Sequence, residues 1–254
     1  MPDWTGYPED DAPYAPLTKA RPYMEEVATA PGRLRIAFCH ENPSNTPLHP
    51  DVLATFDATV KTLGELGHIM IEKKSLPLDW RKLYRAQGSV SGAVFASAMD
   101  ELSEALGHPP EENDLEPLAW GSYNYGKKLT GARVAWGLGV LRVMTREILS
   151  WWREFDVLLM PVTIAPPPEI GHLDSVNLTP REFNQRQSRI FGYTPPFNMT
   201  GQPSMSLPMG LSASKLPIGM MFTGRYGDEA TLFRLGAQLE EARPWHERRP
   251  PIWG

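Results

Sequence analysis

Cysteine is nearly absent from this sequence: Cys39 is the only one among 254 residues. One thiol excludes an intrachain disulfide framework and any site built from several thiolates. Histidine is sparse, at positions 40, 49, 68, 108, 172 and 246. No two of these stand at the H-x-x-x-H spacing that aims two imidazoles from one helix face, so the residues call for no metal and no cofactor. An excess of one charge is missing too. The 25 basic and 30 acidic side chains are interleaved and leave a net charge of -5, which gives no footprint for nucleic acid or an anionic membrane surface. No apolar run reaches the roughly 20 residues of a bilayer span. Residues 1–11 are acidic, without the basic and apolar regions of a secretory signal. The expectation is a cytoplasmic chain with no nucleic-acid and no membrane partner. Phosphate loops are absent as well: nothing matches G-x-G-x-x-G, and Gly224-Arg225-Tyr226-Gly227 lacks the spacing and Lys of a P-loop and reads as a strand-to-helix turn.

What is present is enough apolar material, 41% of the chain, for an α/β fold with a real core. Residues 1–32 are rich in proline and acidic groups and read as an extended segment lying on something else, more like the middle of a domain than its beginning. Residues 33–39, RLRIAFC, suit a strand. Residues 49–67 carry Val52, Phe56, Val60, Leu63 and Leu66 at helical spacing with Gly67 as the stop, and residues 68–73 read as a second strand, which makes a right-handed β-α-β unit over 33–73. A helical region follows over 79–155, with helices expected at 80–106 and 131–155 and a proline- and acid-rich separator at 108–117. The second helix carries the stripe Val134, Leu138, Leu141, Met144, Ile148, Trp151 and Phe155, read as core packing. The remainder, 156–254, mixes strands at 156–160, 204–207 and 218–223 with helices at 180–191, capped by Thr179 and opened by Pro180, and at 228–242, capped by Asp228.

Two constellations invite a catalytic reading. Cys39-His40 has the residue types of a thiolate nucleophile and its base, but neighbours on a strand point to opposite faces, which leaves a buried structural cysteine as the reading. Gly88-Ser89-Val90-Ser91-Gly92 is a Ser/Gly cluster, yet it misses the G-x-S-x-G spacing and lies inside a helical pattern, where small residues serve close helix packing. From residue chemistry alone the chain is an α/β domain with no identifiable nucleophile.

Three segments carry a resemblance. They are FDVLLMPVTIAPPPEIG (155–171), PPFNMTGQPSMSLPMG (195–210) followed by LPIGMMFTGRYGDEATLFRLGAQLEEARPWHERRPP, and, more weakly, the β-α-β unit beginning RLRIAFC with Asp51 opening its helix. In this order they resemble the C-terminal half of the amidase-signature family. The resemblance implies an α/β fold, a mixed β-sheet flanked by helices, and hydrolysis of an amide by a Lys, a bridging Ser and a nucleophilic Ser. In that family the two serines sit in a segment of the form GGSSGGS upstream of everything matched here. Residues 1–254 contain no counterpart, and the cluster at 88–92 falls downstream of the β-α-β unit, so no catalytic residue carries over.

What carries over is pocket wall. Ligands of open α/β sheets bind beyond the carboxyl ends of strands, which points to Thr163 after one strand and to Tyr193 and the turn Phe197-Asn198-Met199-Thr200-Gly201 before another. That turn has two readings: a tight connection in which Asn198 and Thr200 bond to the backbone and Gly201 takes positive φ, or a substrate contact through Tyr193, Phe197 or Asn198. The resemblance implies a small-molecule amide substrate, linear or cyclic, and as partner an N-terminal amidase half or further copies of the chain. The competing reading is a non-catalytic binding or scaffold subunit, or a truncated gene product. Upstream DNA encoding a Lys and the Gly/Ser segment separates these.

Overall fold

A strand covered on both faces has no reason to alternate, and Val157-Leu158-Leu159-Met160-Pro161 does not. In the computed structural model, which describes residues 20–249, these residues form β3 (Val157–Pro161), buried at every position. Around it lie β1 (Arg35–Phe38), β2 (Ile69–Glu72), β4 (Ser204–Leu211) and β5 (Pro217–Thr223). The strand order is β2-β1-β3-β5-β4. β1 runs parallel to β2 and β3, while β5 runs antiparallel to β3 and β4, so the sheet is mixed, as the family resemblance implied.

Because successive strand residues face opposite ways, two cores form. Val157 and Leu159 join Ile36, Met220 and Phe222 on one face, beneath α2 (Pro50–Glu65) and α8 (Glu229–Ala242), which supply Phe56, Leu63, Leu235 and Leu239. Leu158, Met160, Ala37 and Met221 meet Ile148 of α5 (Gly131–Trp151), Trp152 and Phe155 on the other. Each Val, Leu, Ile, Phe or Met among them contributes about 1.5–3 kcal/mol by leaving water.

The sheet's register is fixed at one corner by charge. Asp156 accepts from the Arg35 backbone N–H (2.8 Å) and from the Arg35 and Arg225 guanidinium groups (3.0 Å each), and Arg225 also donates to the Phe155 carbonyl (2.9 Å). Burial opposes ionisation of Asp156 more than any single contact favours it. The two arginines and the backbone N–H together still hold its carboxyl below the usual carboxylate range. A second buried carboxylate, Glu26 of α1 (Tyr23–Val27), accepts from Arg234 of α8 (2.5 Å) and Arg21 (2.8 Å) and fastens the N-terminal segment to α8.

Beside the sheet, α3 (Trp80–Leu106) packs on α4 (Pro117–Lys127) and α5. Small residues permit this. A Cβ at Gly126 would collide with the Gly92 carbonyl oxygen and Ala96, and one at Gly137 would press on Ala86 and Val90. The serines of the 88–92 cluster are spent inside α3: Ser89 Oγ donates to the Arg85 carbonyl and Ser91 Oγ to that of Gln87, both at 2.8 Å.

Several elements depart from the sequence reading for local reasons. The segment 1–32 lies mostly outside the described residues, and within its described part 23–27 are helical. α4 forms between the two long helices, opened by Pro117 and held by Tyr123 Oη and Lys127 Nζ donating to Asp100 (2.8 and 2.7 Å); its two glycines hid the period. α5 ends at Trp151 because Asp156 N–H must reach the Arg35 carbonyl (2.8 Å). Of the expected stripe, Met144 and Ile148 on α5 and Phe155 beyond its end are buried, but Leu138 is 41% exposed, since the start of this helix crosses α3 instead of the sheet. α6 (Pro180–Gln187) stops short of residue 191 because Phe191 bridges to Thr163. The 197–201 turn is the end of a short helix, α7 (Pro195–Thr200), closed by Gly201 at φ 68°. No helix among the described residues is long and apolar enough to cross a membrane.

Two outcomes are expected. Asp156→Asn should lower stability by about 1–3 kcal/mol at neutral pH. Because the folded carboxyl titrates below its unfolded value of about 3.9, the contribution is present above that value and is lost as pH falls through the folded one. Melting curves should therefore show the gap between wild type and variant closing on the acid side. Gly126→Ala should cost about 1–3 kcal/mol by forcing α4 off α3, read as a lower urea midpoint.

Candidate functional site

Beyond the carboxyl end of β3 the chain is gripped from both sides. Val162 N–H donates to the Gly219 carbonyl (3.2 Å), Ile164 N–H to that of Ile190 (2.7 Å), and His49 N–H to that of Ile164 (2.9 Å), while Thr163 bridges to Phe191. This seats the end of α6 beside the loop that follows β1. That loop is shaped by Asn42, whose Oδ1 accepts from the backbone N–H of Ser44 (3.2 Å) and of Thr46 (3.3 Å) and whose Nδ2 donates to the Thr46 carbonyl (2.7 Å). Tyr193 Oη donates to the His40 carbonyl at 2.7 Å and ties the two loops together. From the other side Gln87 of α3 donates to the Pro195 carbonyl (2.8 Å).

Between these anchors lies an open cleft of about 550 Å³ whose walls include Ser44, Tyr84, Asn184, Gln187, Phe191 and Thr194. None of the side chains lining it is charged. Two rings, Tyr84 and Phe191, are part-exposed in it. Burial pushes the Tyr84 phenol above its ordinary range, so it acts as a neutral donor. The arrangement can grip a neutral polar ligand between aromatic faces and hydrogen-bonding ends. It offers no nucleophile with a base. Cys39 is buried beside β3 and its thiol is pushed up to about 12, chiefly by desolvation and then by Glu41, which makes it inert at neutral pH.

None of the six residues expected at the site lines this cleft; they lie behind or beside it. Thr163 is half-buried, with its hydroxyl donating to the Ala165 carbonyl (2.7 Å). Tyr193 is fully buried behind the cleft, and desolvation raises its phenol further. Phe197 is in the core, edge-on to Trp152 at 6.1 Å. Thr200 is buried and its hydroxyl accepts from Gln202 N–H (3.4 Å). Gly201 caps α7, and Asn198 alone among these side chains is exposed. The side chains that line the cleft, Tyr84, Asn184, Gln187, Phe191 and Thr194, come from three segments, and no local motif marks their meeting.

A family model described as Amidase matches residues 4–233. The chain belongs to the amidase family. It is 31% identical over 255 residues to the 6-aminohexanoate-cyclic-dimer hydrolase of Paenarthrobacter ureafaciens, covering 98% of this chain and 52% of that protein. The AmiC protein of Mycobacterium leprae (strain TN) is 43% identical over 232 residues, covering 85% and 46%. A solved 6-aminohexanoate cyclic dimer hydrolase complexed with substrate superposes with a TM-score of 0.83 at 29% identity, over 97% of this chain and 52% of that one. This amidase chain thus spans about half the length of the curated relatives it matches.

Tyr193→Phe tests the anchor. It leaves the His40 carbonyl without its buried donor and should cost about 1–3 kcal/mol, with faster hydrogen exchange confined to residues 40–46 and 190–195. Unchanged exchange there would show that the loops do not depend on this bond.

Proposed function

We propose that this chain is the C-terminal, substrate-holding part of a cytoplasmic amidase that cleaves a C–N amide bond by a Ser-Ser-Lys mechanism, with the three catalytic groups lying outside residues 1–254. The observation that carries the reading is the uncharged cleft beyond β3, built in part by segments that resemble the family. Support comes from the relatives, one of them a hydrolase of a cyclic amide dimer by its name. The substrate class that fits is a small neutral amide, linear or cyclic.

In such a reaction the serine Oγ attacks the amide carbon, the C–N bond breaks as the nitrogen takes a proton, and water releases the acyl group. This chain's part is to hold the amide with its carbonyl presented to that serine and to exclude competing orientations. Thr163, Tyr193, Phe197, Asn198, Thr200 and Gly201 serve this differently. Tyr193, Phe197 and Thr200 fix the wall from within, while Asn198 is free to touch substrate or an N-terminal amidase half. That partner, an N-terminal amidase half or a second copy bringing its own surface, would bury apolar side chains now exposed, such as Val94 and Val143.

The purified chain is expected to hydrolyse no small aryl amide above background. Activity that disappears in Ser91→Ala would overturn the reading by making the helical serine a nucleophile. When an N-terminal half carrying the Gly/Ser segment is co-expressed, the two should co-purify and turn over amide. In that complex Asn198→Ala should change kcat/KM by about 3- to 10-fold with no shift in melting. Phe197→Ala should instead lower stability by about 3–5 kcal/mol, because it empties a core site. Unchanged kinetics in Asn198→Ala would show that this residue does not touch substrate.

A further inference from the structure

The Ser/Gly cluster at 88–92 contains two glycines that differ in kind. Gly92 has an internal reason: a Cβ there would meet the Tyr125 ring at 2.9 Å, where α4 crosses α3. Gly88 has none. Nothing lies within 4 Å of where its Cβ would be, yet a mid-helix glycine costs roughly 1 kcal/mol against alanine. Gly88 stands one turn of α3 from the nearest residue of another cleft. Tyr84, one turn before it, lines the uncharged cleft beyond β3. Gly88 itself, with Ser91 and Phe95, lines a second cleft of about 550 Å³ against Leu118, Ala119 and Tyr125 of α4. Positions 84, 88, 91 and 95 step by four, three and four and so share one face of α3. They cover about 16 Å of helix axis.

We propose that the two clefts form one binding track along α3, with Gly88 as the low sill between them, and that the track takes a linear, uncharged amide whose hydrocarbon arm runs from Tyr84 over Gly88 to Phe95 and Tyr125. The amide end is held among Asn184, Gln187 and Thr194, whose side chains have no hydrogen-bond partner among the described residues. The arm lies on apolar and small groups: Ser91 turns its hydroxyl back to the Gln87 carbonyl (2.8 Å) and leaves only its CH₂ to the track. A charged group would find no counter-ion in the first cleft and would be desolvated at a cost. In the second cleft the carboxylate of Glu116 already accepts a hydrogen bond from the Ser175 hydroxyl. This deepens the amidase reading and rests on it only for the placement of the amide end. The length discrimination belongs to α3 alone.

The experiment measures affinities of the full chain for two neutral probes, N-propylpropanamide and N-hexylhexanamide, by ligand-observed NMR titration. Wild type should bind the longer probe at least about tenfold more tightly, because its extra methylenes leave water along α3. Gly88→Leu fills the sill. It should abolish that preference, leave the affinity for the short probe unchanged, and keep or raise the melting temperature, since it replaces glycine in a helix at a position with room. Gln187→Ala should weaken both probes together. Equal affinities in wild type, or a preference that survives Gly88→Leu, would overturn the track while leaving the first cleft in place. Failure of both probes to bind wild type would overturn the track and the substrate cleft together.

Discussion

The double-sided burial of β3 is the constraint on which the rest of the fold depends. A five-residue strand with no exposed position must be covered by a helical layer on each side and by a neighbouring strand on each edge. Its neighbours β1 and β5 are supplied from opposite ends of the chain, and their placement relative to β3 is fixed where Asp156 collects the Arg35 backbone, the Arg35 guanidinium and Arg225. An ion cluster at a strand's start does what apolar contact cannot. Hydrophobic side chains tolerate a register slip by two residues, whereas a carboxylate that has given up part of its hydration does not tolerate losing its donors.

Once β3 is fixed, the cleft follows with little freedom. The chain leaves Pro161 on the carboxyl side of the parallel strands and is at once pinned through Val162, Thr163 and Ile164 to β5 and to the end of α6. The loop after β1 emerges at the same side because β1 is parallel to β3, and Tyr193 joins it to the loop after α6. The walls are therefore irregular segments tied down by specific hydrogen bonds at Asn42, Ile164 and Tyr193, which is what a preorganised binding surface requires.

The sequence revealed the sheet better than the site, and the difference has a physical basis. β3, β5 and the ends of α2 and α8 carry signals within a few residues: an unbroken apolar run, a cap at Asp228, a glycine at positive φ after Leu66. α4 was invisible because Gly121 and Gly126 erase its periodicity, and Gly126 is required by a helix about 30 residues away in sequence, a contact no local pattern encodes. The ends of α5 and α6 were overrun for a similar reason. Their helical preference continues, but Asp156 and Phe191 are claimed by β1 and by Thr163. The cleft residues Tyr84, Gln187 and Thr194 sit on separate elements, each ordinary in its own neighbourhood.

The segment 197–201, part of the family resemblance, shows how a short motif can be shared between stability and recognition. In Phe197-Asn198-Met199-Thr200-Gly201, the helical turn sends Phe197 and Thr200 inward, three apart on one face, and Asn198 outward. A strand would have paired Phe197 with Met199 instead. The short helix thus keeps the ring against Trp152 while freeing the amide, and Gly201 at φ 68° lets the chain reverse into β4 without moving either. A side chain can be tuned to a ligand without loss of fold only when its neighbours do not rely on it. In this turn that condition holds for Asn198 and fails for Phe197, so chemical variation among related amidases is expected to concentrate at the first position and packing to hold the second.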